Sequence, residues 1–232
     1  MEKFGLDIPD VIYEDNHLLV VNKRSSDIVQ KDITGDKALV ELFKDYLKQK
    51  YNKPGQVFLG IPHRLDRPTS GVIVFAKTSK SLSRLNEMFR NKEIQKTYWA
   101  VVKNRPKKDK DTLVNYLIKK ELKNKSFPVA KSVSGAKYSE LDYKLIDSSD
   151  NYHLIEVLPK TGRHHQIRVQ LSNIGCPIKG DLKYGFDRPN PGGSIHLHAR
   201  KLELIHPVKK ETMVFVAPTH EDPLWNYFRD KK

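Results

Sequence analysis

The 232-residue chain holds one cysteine, Cys176, so no disulfide can form within it. That composition suits a reducing compartment and points to the cytoplasm. No apolar run reaches membrane-spanning length. The opening residues, MEKFGLDIPD, have neither the basic leader nor the apolar core of a secretory signal. Acidic residues are scarce beside basic ones, 28 Asp and Glu against 42 Lys and Arg. The nine histidines lack the partners a metal requires, with no H-E-x-x-H and no paired C-x-x-C. The adjacent His164 and His165, and His196 and His198 on one strand face, therefore read as structural, and no metal is expected. Gly-rich phosphate loops, nucleotide fingerprints, internal repeats and linkers are also missing. The absences leave a soluble globular protein, expected as one domain over 1–232 with no appended N-terminal module.

What is present is charge. A formal net charge of +14 over a chain of this size predicts a polyanionic partner. No strongly amphipathic basic helix favours a membrane surface, so nucleic acid leads. Hydrophobic alternation predicts a hairpin over 10–15 and 17–23, then a helix over 36–50 capped by Asp36. The apolar run at 72–76 reads as a buried strand, and Ser79 opens a second helix. Strands follow at 95–103, 112–122, 136–147 and 152–158, with a charged turn at 104–111. A short helix over 164–174 closes at Gly175, then come strands at 195–205 and 212–217 and a helix from Asp222-Pro223. This order predicts an α+β fold: a mixed, largely antiparallel sheet with flanking helices.

The most informative string is HRLDRPTSG, 63–71. It sets Asp66 between Arg64 and Arg67, an arrangement that favours the charged form of an acid. Pro68 and Gly71 break regular structure ahead of the buried strand, where a rigid scaffold tends to carry reactive groups. By itself an Arg-x-Asp-Arg reads better as a surface loop with a local ion pair. The whole string closely resembles the active-site motif of the large-subunit-type RNA pseudouridine synthases. KTYWAVV (96–102) is similar to the Lys-x-Tyr block of that family, and LPKTGRHHQIRVQLSNIGCPIKGDLKYG (158–185) to its TGR-x-HQIR and following blocks, in the same order. The sequence departs from the family pattern at 22–32, where NKRSSDIVQKD lacks a Lys-Pro-x-Gly element, and at His164, where Thr or Ser is more usual.

The resemblance implies a cleft across the sheet and a cofactor-free isomerase that turns uridine in structured RNA, a tRNA or rRNA stem-loop, into pseudouridine. It implies Asp66 as the catalytic carboxylate, acting as nucleophile at sugar or base, or as base toward the 2′ proton. Arg168 matches the family's basic partner of that carboxylate. Tyr98 is expected to stack on the flipped uracil; apart from the resemblance it reads as a core strand residue. Lys96 shares its strand face and adds charge toward RNA. Arg64 fills the space of the extruded nucleotide or contacts phosphate, and Arg67 and Arg163 lie among the RNA-binding groups. Gly162 and Arg163 are expected to present backbone N–H groups to phosphate at a helix start. His63, His165 and Gln166 are expected to support the site, the last two by holding the loop of Asp66. A monomer is expected. The competing reading from another class is an inactive RNA-binding protein on the same scaffold.

Overall fold

The computed structural model describes residues 2–3, 5–32 and 35–229. In chain order the elements are β1 (Glu2–Lys3), β2 (Leu6–Asp7), β3 (Asp10–Glu14), β4 (Leu18–Lys23), α1 (Leu39–Lys50), β5 (Ser70–Ala76), α2 (Ser79–Arg90) and β6 (Gln95–Val102). Then come β7 (Lys110–Lys120), β8 (Lys125–Val129), β9 (Lys137–Ser148), β10 (His153–Pro159), α3 (Gln166–Asn173), β11 (Leu197–Ile205), β12 (Thr212–Val216) and α4 (Pro223–Arg229). Every strand pair with a described register is antiparallel. The result is the α+β fold of largely antiparallel sheet and four helices that the alternation predicts. Two compact units share the chain: Met1–Gln95 with Ala199–Thr219, and Lys96–His198 with His220–Lys232. No helix among the described residues is long and apolar enough to cross a membrane.

In the first unit, Asp15 closes the β3–β4 hairpin by accepting from the backbone N–H of His17 (2.7 Å) and Leu18 (2.8 Å). β5 pairs with β4 and is buried along its whole length, as an apolar run with polar ends requires. Helix α1 buries Leu39, Phe43, Tyr46 and Leu47, and Phe43 meets Phe75 of β5 at 6.0 Å between ring centroids. Asp36 does not cap it. The helix starts at Leu39 behind Ala38, and the Asp36 carboxylate instead accepts from Arg67 at 2.6 Å. Helix α2 is capped as its sequence suggests, one residue earlier than Ser79, by the Thr78 hydroxyl accepting from Ser81 N–H at 3.1 Å.

In the second unit the pairings run β6–β10–β9–β7–β8. Its core joins alternate residues of these strands to α3 through Ile167 and Leu171. α4 packs Trp225 and Phe228 against Trp99, Val101 and Leu154. Asp222 holds that helix by accepting from Leu224 and Trp225 N–H and from the His196 ring at 2.9 Å. The short strand β8 is not predicted by the sequence reading, because Pro128 removes a ladder donor; it survives as an edge strand paired to β7.

Candidate active site

The 63–71 loop hangs between two fixed points in the first unit. Leu65 is buried and anchors its middle, leaving Arg64 exposed on one side and Asp66 half-buried on the other. The Thr69 N–H donates to the Asp66 carbonyl at 3.0 Å and closes a tight turn over Arg67 and Pro68. Behind this turn lies Lys23, the last residue of β4 and only 1% exposed. Its ammonium donates to the carbonyls of Thr69 (2.7 Å), Arg24 (2.9 Å) and Arg67 (3.0 Å). Burial pulls the Lys23 pKa down to about 7, against the opposing pull of the Asp27 and Asp66 charges. A buried amine with three carbonyl acceptors is a mechanical fixture for the turn, since unpaired buried carbonyls would be costly. The chain at 24–27, where the sequence departs from the family pattern, returns the favour: Ser26, at positive φ, donates its N–H to the Arg67 carbonyl at 2.9 Å.

Gly71 fixes the other end of the loop. Its φ is +115, and a Cβ there would strike the backbone of Ala199 on β11. Only glycine lets β5 begin in that conformation so close to its neighbour. His63 is held by its ring, which accepts from Val74 N–H at 3.1 Å and stacks on Phe89 of α2 at 4.8 Å. Arg67 bonds Asp36, whereas Arg64 makes no ion pair among the described residues.

In the second unit, Lys96 and Tyr98 lie on one face of β6. Tyr98 is half-buried against the core, and the Lys96 ammonium lies 3.8 Å from where a Cβ on Gly162 would stand. Burial lowers the Lys96 pKa. The turn at 161–163 is braced from within by Gln166. Its amide oxygen accepts from the Thr161 hydroxyl (2.7 Å) and Arg163 N–H (3.0 Å), and its nitrogen donates to the Glu140 carbonyl (2.9 Å). Gln166 thus braces its own turn, and the Arg163 N–H is engaged within that brace. The Arg163 side chain stays exposed, its Nε donating to the Tyr138 carbonyl at 2.9 Å.

Arg168 is 4% exposed and clamps Asp181, 1% exposed, through Nε–Oδ2 at 2.6 Å and a second N–H to Oδ1 at 2.8 Å. Its guanidinium lies 5.1 Å from the Tyr184 ring centre. The Tyr184 hydroxyl meets His165 Nδ1 at 2.9 Å. Burial, then the charge of Arg168, drive the His165 pKa down to about 2, so this ring stays neutral. The sequence motifs do not single out Lys23. The signal for Lys23 was a lysine at an inward position of an otherwise apolar strand. Among the described residues no group of three or more His, Cys, Asp or Glu side chains could hold a metal ion.

The first unit thus mounts an acid between two arginines on a rigid turn, and the second carries a half-buried tyrosine and a lysine on one strand face and a clamped buried arginine. The pattern of the RNA pseudouridylate synthase family matches residues 17–173, and the chain belongs to that family of isomerases acting on RNA. Its similarity to the ribosomal large subunit pseudouridine synthase C of Buchnera aphidicola is 33% identity over 216 residues, 90% of this chain and 67% of the relative. The tRNA pseudouridine synthase C of Vibrio cholerae is 31% identical over 230 residues, 91% of each chain. The chain thus spans about two thirds of the length of the ribosomal relatives it matches. In fold it is similar to the human RNA pseudouridylate synthase domain containing 4, with a TM-score of 0.76, 24% identity and coverage of 93% of this chain and 89% of that one.

Proposed function

We propose that the chain converts a uridine in an rRNA or tRNA stem-loop into pseudouridine, with Asp66 as the catalytic carboxylate. The reaction breaks the N1–C1′ bond, turns the freed uracil and joins C5 to C1′. The C5 hydrogen leaves as a proton and N1 gains one, so the sum is an isomerisation with no redox partner and no cofactor. The observation that carries the reading is the mounting of Asp66, on a turn pinned by the buried ammonium of Lys23 and by a Gly71 that admits no side chain. A carboxylate held this firmly is suited to acting at the sugar–base junction, by attack or by removing the 2′ proton, and both need the ionised form.

The other residues take roles that their surroundings support. Arg64, exposed and without an ion-pair partner among the described residues, fills the gap in the RNA stack when the nucleotide turns out. Flipping costs a few kcal/mol, and a planar cation recovers part of that. Tyr98 offers a ring to the uracil and Lys96 a positive charge beside the 161–163 turn. Arg168, itself held in place by Asp181, is assigned as the basic group that serves the carboxylate chemistry. The relatives' names mention both ribosomal and transfer RNA, and a monomer in the cytoplasm fits a basic chain with one cysteine.

The test is release of tritium from RNA labelled at uridine C5. Asp66→Asn should lose at least a thousandfold in rate with fold and RNA affinity kept. Residual turnover within tenfold of wild type sinks the assignment of Asp66, whereas a wild type that binds RNA and releases no tritium favours the inactive RNA-binding reading.

A further inference from the structure

We infer that the β7–β8 hairpin of the second unit is a docking arm for the phosphates of a base-paired RNA stem, pinned in place by His164. This rests on the reading of RNA as the substrate and adds which part of the RNA the arm holds. From Tyr116 to Tyr138 the chain carries six lysines (119, 120, 123, 125, 131 and 137) and one acid, Glu121. Elsewhere many lysines are matched by carboxylates: Lys50 and Lys77 by Glu14, Lys37 by Asp45, Lys160 by Glu140 and Asp142. On the arm only Lys119 is matched, by Glu121, and Lys120, Lys123, Lys125 and Lys131 make no ion pair among the described residues.

The arm is rigid where it matters. A 3-10 turn over Glu121–Lys123 and a left-handed Asn124 join its strands. The His164 ring meets the Ser126 hydroxyl at 2.9 Å and Asn124 Oδ1 at 3.1 Å, while Ser126 donates to the His164 carbonyl at 2.7 Å. Ser126 N–H donates to the Tyr184 hydroxyl at 2.9 Å, and Lys183 donates to the Asn124 carbonyl at 3.1 Å. The residue that departs from the family pattern at 164 is thus the bolt between the arm and the TGR segment.

Chemistry selects duplex over single strand. Single strands are gripped by aromatic faces on which bases stack. Near the tip of the arm the Phe127 ring lies under cations: Lys120 and Lys125 are 5.3 and 5.4 Å from its centre, and Lys125 is 4.9 Å from that of Tyr184. Ammonium groups carried on a braced hairpin, with cations over the ring near its tip, suit the backbone of an A-form stem, which proteins recognise by shape and phosphate.

The probe is an RNA duplex with no unpaired uridine, titrated by fluorescence anisotropy at several salt concentrations beside a single-stranded oligonucleotide. Lys120→Glu with Lys123→Glu should weaken duplex binding at least tenfold and flatten the slope of log K against log salt by about 1.5 to 2. The single-stranded probe should lose no more than about threefold. Lys48→Glu with Lys80→Glu, the same charge change on exposed positions of the first unit, should leave duplex binding within threefold. His164→Ala, which keeps every lysine, should lose part of the duplex affinity. The inference is overturned if the arm variant binds duplex like wild type, if both double variants lose equally, or if both probes suffer alike. None of these readouts uses turnover, so a wild type that binds duplex through the arm yet releases no tritium condemns the proposed activity and leaves the arm standing.

Discussion

At the residue scale, two buried charges decide how the site can be tested. Arg168 was expected to serve Asp66, yet its guanidinium is also bonded at two points to Asp181, which is equally buried. Arg168→Met therefore strands a carboxylate in the interior, at a cost of about 3–5 kcal/mol. Thermal melts should show that loss, and a missing activity would then say nothing about catalysis. Arg168→Met combined with Asp181→Leu removes both charges and should recover most of the stability in urea titration while turnover stays abolished. Recovery of turnover in the double variant would end the catalytic role of Arg168. Lys23 gives a signature in pH. Its pKa is about 7 folded and 10.5 as an ordinary lysine, so between those values the unfolded chain holds a proton the folded chain lacks. Its contribution to stability thus rises as pH climbs from 7 toward 10.5 and is lowest below 7. Lys23→Met should lose this rise, seen as the difference in urea midpoints between the two proteins at pH 6, 7.5 and 9. It should also cut turnover more than RNA affinity, because it releases the turn under Asp66; parallel midpoints across pH would contradict the burial of a titrating amine.

At the element scale, most strands and all four helices were legible from alternation and from end signals such as Gly175 and Asp222-Pro223. The failures share a cause: a local signal was outbid by a long-range partner. Asp36 has the composition of a cap but bonds Arg67, leaving the start of α1 to Ala38. Strand β8 has a proline and two polar residues in five, and only its pairing to β7 makes it a strand. The end of the chain shows the opposite case, where one residue serves a near and a far purpose. Asp222 caps α4 and holds His196, whose bond keeps the acid well below the usual carboxylate range. Asp222→Ala should cost about 1–3 kcal/mol, the cap and the lost partner together. Trp225 is fully buried beneath it and Trp99, the other tryptophan, is in the same cluster, so emission should shift to the red before global unfolding. An unchanged spectrum and midpoint would mean that α4 is held by its apolar face alone.

At the scale of the whole molecule, the charge excess was legible and its placement was not. Composition counts cations without saying which are spoken for, and the arm stands out only when the carboxylates paired to other lysines are known. The catalytic motifs were readable because each is a contiguous string whose residues share a loop or strand. Lys23 was not, because it acts on a segment remote from it in sequence: 44 residues separate it from Arg67. The walled-in amine of Lys23 carries one more consequence. It is 1% exposed, so no acylating reagent can reach it while the turn is closed. Acylation would consume its N–H donors and add bulk where there is no room, so a molecule caught open could not close again. The breathing of the catalytic loop would thereby be recorded as irreversible inactivation, at a rate set by the protein's own opening and indifferent, at high concentration, to how much reagent is added.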